Sequence, residues 1–304
     1  MGAGMRRVLA AVLVLAVCTP AADGPGTVGA DFLRLGIGAR PMALAGAYTA
    51  ISDDVFGMAT NPAGLSQIIN AELGSYYANI IGDVHHGWIG FTHDISDMWS
   101  YGVELNMLYT EETRRDSYGD PIGTYSVGLG TLGGAISMEP FPGFSLGLSG
   151  HYVVQKYDQE VGQGFAGDFG ILYHTRFNGL RVGVVVENLG PKVEFQELSE
   201  SMPMGVRVGL GSSMFNQTLT VTGDFGYGFE GTMEACAGVE WEAVRGVSLR
   251  AGYDILTDFD SWSGVSLGIG LDALSGLIVG ELDYAFVPQL PLGYVHRVSY
   301  TLKF

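Results

Sequence analysis

From about Ala71 to Phe304, apolar and polar positions alternate with a period of two, the spacing of strands whose two faces meet different surroundings. The clearest run is Met98 to Tyr109. Trp99, Tyr101, Val103, Leu105, Met107 and Tyr109 share one face, and Ser100, Gly102, Glu104 and Asn106 the other. Met233, Ala235, Ala237, Val239 and Trp241 alternate in the same way with Glu234, Cys236, Gly238 and Glu240. About fourteen such runs begin near Ala71, Val84, Met98, Thr124, Gly143, Gly164, Gly179, Pro203, Thr218, Thr232, Gly246, Gly264, Leu277 and Gly293. Most are about 10–12 residues long, beyond the roughly 5–6 of globular strands and close to the 9–11 that cross a bilayer at a tilt. An even number lets an antiparallel sheet close with both ends on one side.

The connections sort by length. Thr110 to Gly123 and Leu189 to Met202 are long, whereas Ser96-Asp97, Pro140-Phe141-Pro142, Phe177-Asn178, Arg245-Gly246 and Ser275-Gly276 read as short turns at the opposite end. That is the loop pattern of an outer-membrane barrel with periplasmic termini. The apolar face then meets lipid. The other face carries Glu104, Asp168, Arg181, Arg207, Glu234, Glu240, Arg250 and Arg297. Buried in a sandwich core, such charges cost several kcal/mol each, but a wet or plugged lumen accommodates them. The expected fold is all-β: a transmembrane outer-membrane β-barrel of about 14 antiparallel strands. Tyr300, Leu302 and Phe304 place aromatic and apolar side chains on the lipid face of the last strand. They are the expected signal for the barrel assembly machinery.

The chain before Ala71 does not alternate. Residues 1–22 read as a signal peptide, with Arg6-Arg7 ahead of the apolar run Val8 to Val17 and small residues after it. This places the mature protein in the outer membrane of a diderm bacterium. Residues 23–70 are expected to form a plug inside the barrel 71–304. Pro41 suits the first turn of a short helix from Met42 to Tyr48. Asp53-Asp54 reads as a solvated turn or a helix N-cap, and Asn61-Pro62 as a turn. Once the signal is removed, Cys236 stands without a disulfide partner.

Composition narrows the function. A net charge of -17 and a single mature basic pair, Arg114-Arg115, set among acids, argue against nucleic-acid binding. Gly36-Ile37-Gly38 lacks a third glycine and a preceding strand, so it marks no dinucleotide site. His85 and His93 share a face but lie about 25 Å apart along a strand, too far for one metal ion. Ser149 and His151 share a face with nothing to mark a nucleophile. No cofactor, metal or enzymatic activity is expected.

The block Phe32-Leu33-Arg34, Gly38-Ala39-Arg40, Met42-Ala43-Leu44, Gly46-Ala47-Tyr48-Thr49-Ala50, Asp53-Asp54 and Asn61-Pro62-Ala63-Gly64-Leu65 resembles the PorV/PorQ family, within the wider FadL-like group of outer-membrane proteins. Glu187-Asn188-Leu189-Gly190 and the segment from Gly293 to Phe304 are also similar. The resemblance implies fourteen strands with an N-terminal plug. It also implies a role in type IX-like secretion, with exported cargo proteins or secretion subunits as partners. The alternative is FadL-type passive transport of hydrophobic small molecules, with outer-membrane lipid around the barrel. Either way Phe32, Arg40, Met42, Tyr48, Asp53, Asp54, Asn61, Pro62 and Leu65 are the candidate plug and ligand-site residues.

Overall fold

The computed structural model describes residues 28–177, 179–195, 198–256, 263–272, 280–290 and 292–304. The strands are β1 (Ala71–Ile80), β2 (Val84–Ser96), β3 (Trp99–Arg115), β4 (Pro121–Phe141), β5 (Phe144–Tyr157), β6 (Glu160–His174) and β7 (Leu180–Leu189). A short hairpin, β8 (Val193–Phe195) and β9 (Leu198–Glu200), precedes β10 (Gly205–Met214), β11 (Leu219–Gly228), β12 (Met233–Val244) and β13 (Val247–Asp254). The chain ends with β14 (Val265–Asp272), β15 (Gly280–Gln289) and β16 (Gly293–Lys303). Neighbours in sequence pair antiparallel, β7 pairs with β10 across the hairpin, and β1 pairs with β16, so fourteen strands close into a barrel. Closure leaves no sheet edge within the wall, which is what allows β-structure to sit in hydrocarbon. Among the described residues no helix is long and apolar enough to cross a membrane.

The alternating pattern maps directly onto the two faces. On β3, Val103, Leu105 and Met107 are 51%, 40% and 56% exposed, while Glu104 and Asn106 between them are buried at 6% and 4%. Outward aromatic and histidine side chains gather towards the strand ends. Phe91, His93 and Tyr101 cluster at the end that carries the short turns, and Tyr284, Phe286, Tyr294 and His296 at the other. Amphipathic rings at two levels are the arrangement that suits two membrane–water boundaries.

Two features depart from the sequence reading. The expected loop Thr110 to Gly123 is mostly strand: β3 and β4 continue as a two-stranded ribbon, paired as far as Arg114↔Gly123 and Arg115↔Pro121. The turn is closed by the Asp116 carboxylate, which accepts from the amides of Tyr118 at 2.8 Å and Asp120 at 3.0 Å. Both faces of the ribbon meet water beyond the rim, so the ladder persists where hydrophobic alternation stops. Leu189 to Met202 likewise contains the β8–β9 hairpin, and β8 pairs with β6 at Gln163↔Glu194. Trp88, on β2, points into the lumen, 3% exposed, with Nε1 donating to Glu104 at 2.8 Å. Gly90 makes room for it, since a Cβ there would lie 2.3 Å from the indole ring. The signal segment 1–22, the start of the strand expected at Leu277, the turn Ser275-Gly276 and Asn178 lie outside the described residues.

The Glu187-Asn188-Leu189-Gly190 motif forms a β-bulge. Register between β6 and β7 shifts at Gly167/Phe169, and Asn188 takes a left-handed φ of 56°. Its amide donates to Asp168 Oδ1 at 2.7 Å. Beyond the bulge the β6–β7 ladder resumes at Gly167↔Leu189 before the chain leaves for the hairpin.

Because Val103 faces lipid near the middle of β3, Val103→Arg is expected to cost about 2–4 kcal/mol. Urea unfolding of the variant in lipid vesicles measures this; a neutral result would contradict the face assignment.

Candidate functional site

The N-terminal segment lies inside the barrel as four short helical turns: Asp31–Arg34, Ala39–Ala43, Val55–Ala59 and Pro62–Gln67. The helix expected from Met42 to Tyr48 instead stops at Ala43, with Pro41 in its first turn. Ala45 at φ 55° and Gly46 at φ 84° are left-handed, and the Gly46 amide returns to the Pro41 carbonyl at 2.9 Å, which ends the helix. Asp54 N-caps the third turn by accepting from Phe56 N at 3.0 Å, and Asn61 caps the fourth by accepting from Ala63 N at 3.2 Å.

Turns this short leave most of their amides and carbonyls without intrahelical partners. The barrel wall supplies many of those partners. Ser299 Oγ accepts from Ala39 N at 3.1 Å, and Glu72 Oε2 from Val55 N at 2.9 Å. Asp224 Oδ2 accepts from both Tyr48 N at 3.0 Å and Thr49 N at 2.9 Å. On the acceptor side, Arg297 donates to Gly36 O at 2.8 Å and Ser137 to Ala63 O at 3.1 Å.

Arg40 is the electrostatic centre. Its Nε and Nη2 donate to the two carboxylate oxygens of Glu240 on β12 at 2.8 and 3.0 Å. Its Nη1 reaches Asp53 at 2.6 Å, Tyr48 Oη at 2.8 Å and Asp54 at 3.1 Å. Glu240 also accepts from Arg250 at 2.6 Å, and Arg250 continues to Glu281 at 2.9 Å and to Asp283. Asp53 is bound from the wall by Arg181 at 3.1 Å. Asp54 is therefore not in a solvated turn. Burial pushes its carboxyl above the usual carboxylate range, with the Arg40 guanidinium acting in the opposite direction.

Two cavities flank the segment. The more enclosed, about 300 Å³, lies on the side of the long connections. Its floor is Leu33, Leu35, Ile37, Pro41 and Met42, and its walls include Glu104, Asn106, His151, Asp168, Arg207 and Glu234. The more open, about 330 Å³, lies at the short-turn end among Asp53, Gln67, His174, Arg181 and Ser213. Between them the turn Tyr48 to Asp53 presses against β7 and β10: a Cβ on Gly183 would lie 2.2 Å from Thr49 O, and one on Gly209 2.9 Å from Ala50 N. Glycine at these two sites lets the segment pack closely against the wall.

Of the nine candidate plug residues, Met42 lines the more enclosed cavity and Asp53 the more open one. Arg40, Tyr48, Asp54 and Asn61 serve the hydrogen-bond network just described, and Phe32, Pro62 and Leu65 are buried in packing. The eight lumen charges all point inwards, where Glu104 and Asp168 hold His151 at 3.1 and 2.9 Å, and Glu187 and Glu234 hold Arg207 at 3.0 and 2.7 Å. Ser149 Oγ donates to Asp168 at 2.5 Å. His151 Nδ1 lies on Glu104, and Nε2 lies on Asp168 and 3.2 Å from Ser149 Oγ, so the imidazole is held between two carboxylates with the serine hydroxyl beside it. Among the described residues no group of His, Cys, Asp and Glu could hold a metal ion. The sequence reading did not name Leu33, Ile37, His151 or Thr49 as site residues. Only the shared face of Ser149 and His151 hinted at the polar cluster.

Arg40→Ala would leave Asp53, Asp54 and Glu240 facing one another in a buried site. The expected loss is about 3–5 kcal/mol, read as a lower unfolding midpoint. Asp224→Ala removes the acceptor of two turn amides; the barrel is expected to remain folded while ion conductance in planar bilayers rises as the turn loosens.

The chain shares its fold with several solved outer-membrane channels. The Ralstonia pickettii toluene transporter TbuX is 11% identical, with a TM-score of 0.62 over 88% of this chain and 98% of that one. The P. putida toluene transporter TodX is 13% identical, with a TM-score of 0.59 over 92% and 99%. The CymD monoaromatic hydrocarbon channel is 13% identical, with a TM-score of 0.61 over 88% and 98%. At such identities the likeness is one of fold, that of FadL-type outer-membrane barrels. No protein with a curated description matches the chain. The model of the uncharacterised protein family UPF0164 matches residues 16–220, more than half of the chain, and the protein belongs to that family.

Proposed function

We propose that this protein is a passive outer-membrane transporter of small molecules with substantial apolar surface, with its N-terminal segment acting as the plug. The observation that carries the proposal is the more enclosed cavity, where the segment within the lumen presents an apolar floor of Leu33, Leu35, Ile37 and Met42 to the side of the long connections. An apolar floor beneath a polar rim binds a solute by removing hydrocarbon surface from water while leaving its polar end hydrated. Proteins sharing this fold include a toluene transporter and a monoaromatic hydrocarbon channel, which supports the reading. In this orientation the ribbon of β3 and β4 and the β8–β9 hairpin face the exterior and the barrel termini face the periplasm. The comparisons favour the FadL-like side of the resemblance. They offer no support for a PorV/PorQ-specific role or for handling type IX cargo.

Reconstituted protein should accelerate entry of small aromatic alcohols into liposomes without behaving as an open ion pore. Leu33→Asp, which sets a carboxylate into the apolar floor, should weaken solute binding about tenfold by forfeiting contact area and desolvating a charge. Titration calorimetry on the purified full chain measures it. Unchanged uptake in wild-type liposomes relative to empty ones would sink the transport reading.

A further inference from the structure

We infer that the more enclosed cavity takes small amphiphiles whose head group is neutral or cationic, and turns away carboxylates. This rests on the transport reading and specifies its substrate class. Five carboxylates line the cavity: Glu104, Asp168, Glu187, Glu234 and Asp254. Against them stand two arginines and one histidine, Arg34, Arg207 and His151.

Each of these bases is already held between two acids. Arg34 is bound by Glu230 at 2.5 Å and Asp31 at 3.3 Å. Arg207 is bound by Glu187 at 3.0 Å and Glu234 at 2.7 Å. His151 lies between Glu104 at 3.1 Å and Asp168 at 2.9 Å. An incoming carboxylate would therefore have to displace a protein carboxylate from its cation, and would do so in a lining where acids outnumber bases. In a confined, partly desolvated space, like-charge proximity is costly. An ammonium or hydroxyl head meets the opposite situation. Carboxylate oxygens accept from it, and no ion pair has to break.

The apolar floor supplies the other half of the recognition. Leu33, Ile37 and Met42 lie on the segment, whereas the acids lie on the strands, so the cavity has one apolar and one polar side. Its volume of about 300 Å³ is at the small end of ligand pockets. That favours a compact body, such as one aromatic ring with a short tether, over a long acyl chain.

The test compares phenylbutylamine, phenylbutanol and phenylbutyrate, which share a body and differ in the head. Binding to the purified full chain in non-ionic detergent is measured by titration calorimetry near neutral pH. The amine and the alcohol should bind, and phenylbutyrate at least about tenfold more weakly than the amine, the size of one unfavourable charge contact in a partly buried site. Glu234→Gln supplies the second arm. Its side chain is half exposed and takes one side of Arg207, so the substitution frees guanidinium hydrogens without emptying the core. Phenylbutyrate binding should then rise about fivefold while amine binding falls. Equal affinity for all three probes, or preference for phenylbutyrate, overturns the head-group inference and leaves the transport reading standing. Failure of all three to bind overturns both.

Discussion

Non-sheet backbone inside a membrane barrel must have its hydrogen-bonding groups satisfied by protein, and this constraint shapes the lumen here. Four helical turns of at most six residues cannot satisfy their own ends. The wall does it for them, with Ser299, Glu72, Asp224, Ser137 and Arg297 each bonded to a backbone group of the segment. Those side chains come from strands all round the barrel, so the segment is held by many separate points. The polar inner face of the strands and the irregular conformation of the segment are thus two halves of one arrangement.

Charge is handled by the same logic. Arg40 stands among Asp53, Asp54 and Glu240, and Arg250 among Glu240, Glu281 and Asp283, so Glu240 is common to both. Buried ions are tolerable when every one is paired and hydrogen-bonded, and they then fix geometry more than they add stability. Here the geometry they fix is the position of the turn Tyr48 to Asp53 against the wall. The network also divides the lumen chemically. The ion pairs around Arg40 and Arg250 lie with the seal, whereas the Glu104–His151–Asp168 and Glu187–Arg207–Glu234 clusters line the cavity above it.

The seal is narrow. Thr49 lines one cavity and Asp53 the other, so a short turn separates the two spaces. Under the proposed transport role, a solute on the apolar floor would sit next to the element whose displacement would join the cavities. Close glycine contacts at Gly183 and Gly209 make that element fit tightly in its resting position.

Much of this architecture was legible in the chain. Period-two alternation determined the strand number, the two faces and the inward direction of all eight named charges, because the contrast between lipid and lumen acts on every residue of a spanning strand. It lost information where that contrast ends. Beyond the rim both faces of a strand meet water, so the ribbon from Thr110 to Gly123 read as a loop. Inside the lumen a tryptophan can replace a polar residue if glycine neighbours make space, as Trp88 does beside Gly90. The unusual character of the first seventy residues was also visible, as was the capping potential of Asp54 and Asn61. Which of their side chains meet a cavity was not. Met42 and Asp53 do, and Arg40, Tyr48 and Asp54 form an ion network instead. The pairing of Arg40 with Glu240 joins residues two hundred positions apart, and the cavity floor and its acidic walls come from different parts of the chain. Local pattern determines which way a side chain points; only closure of the barrel around the segment decides what it meets there.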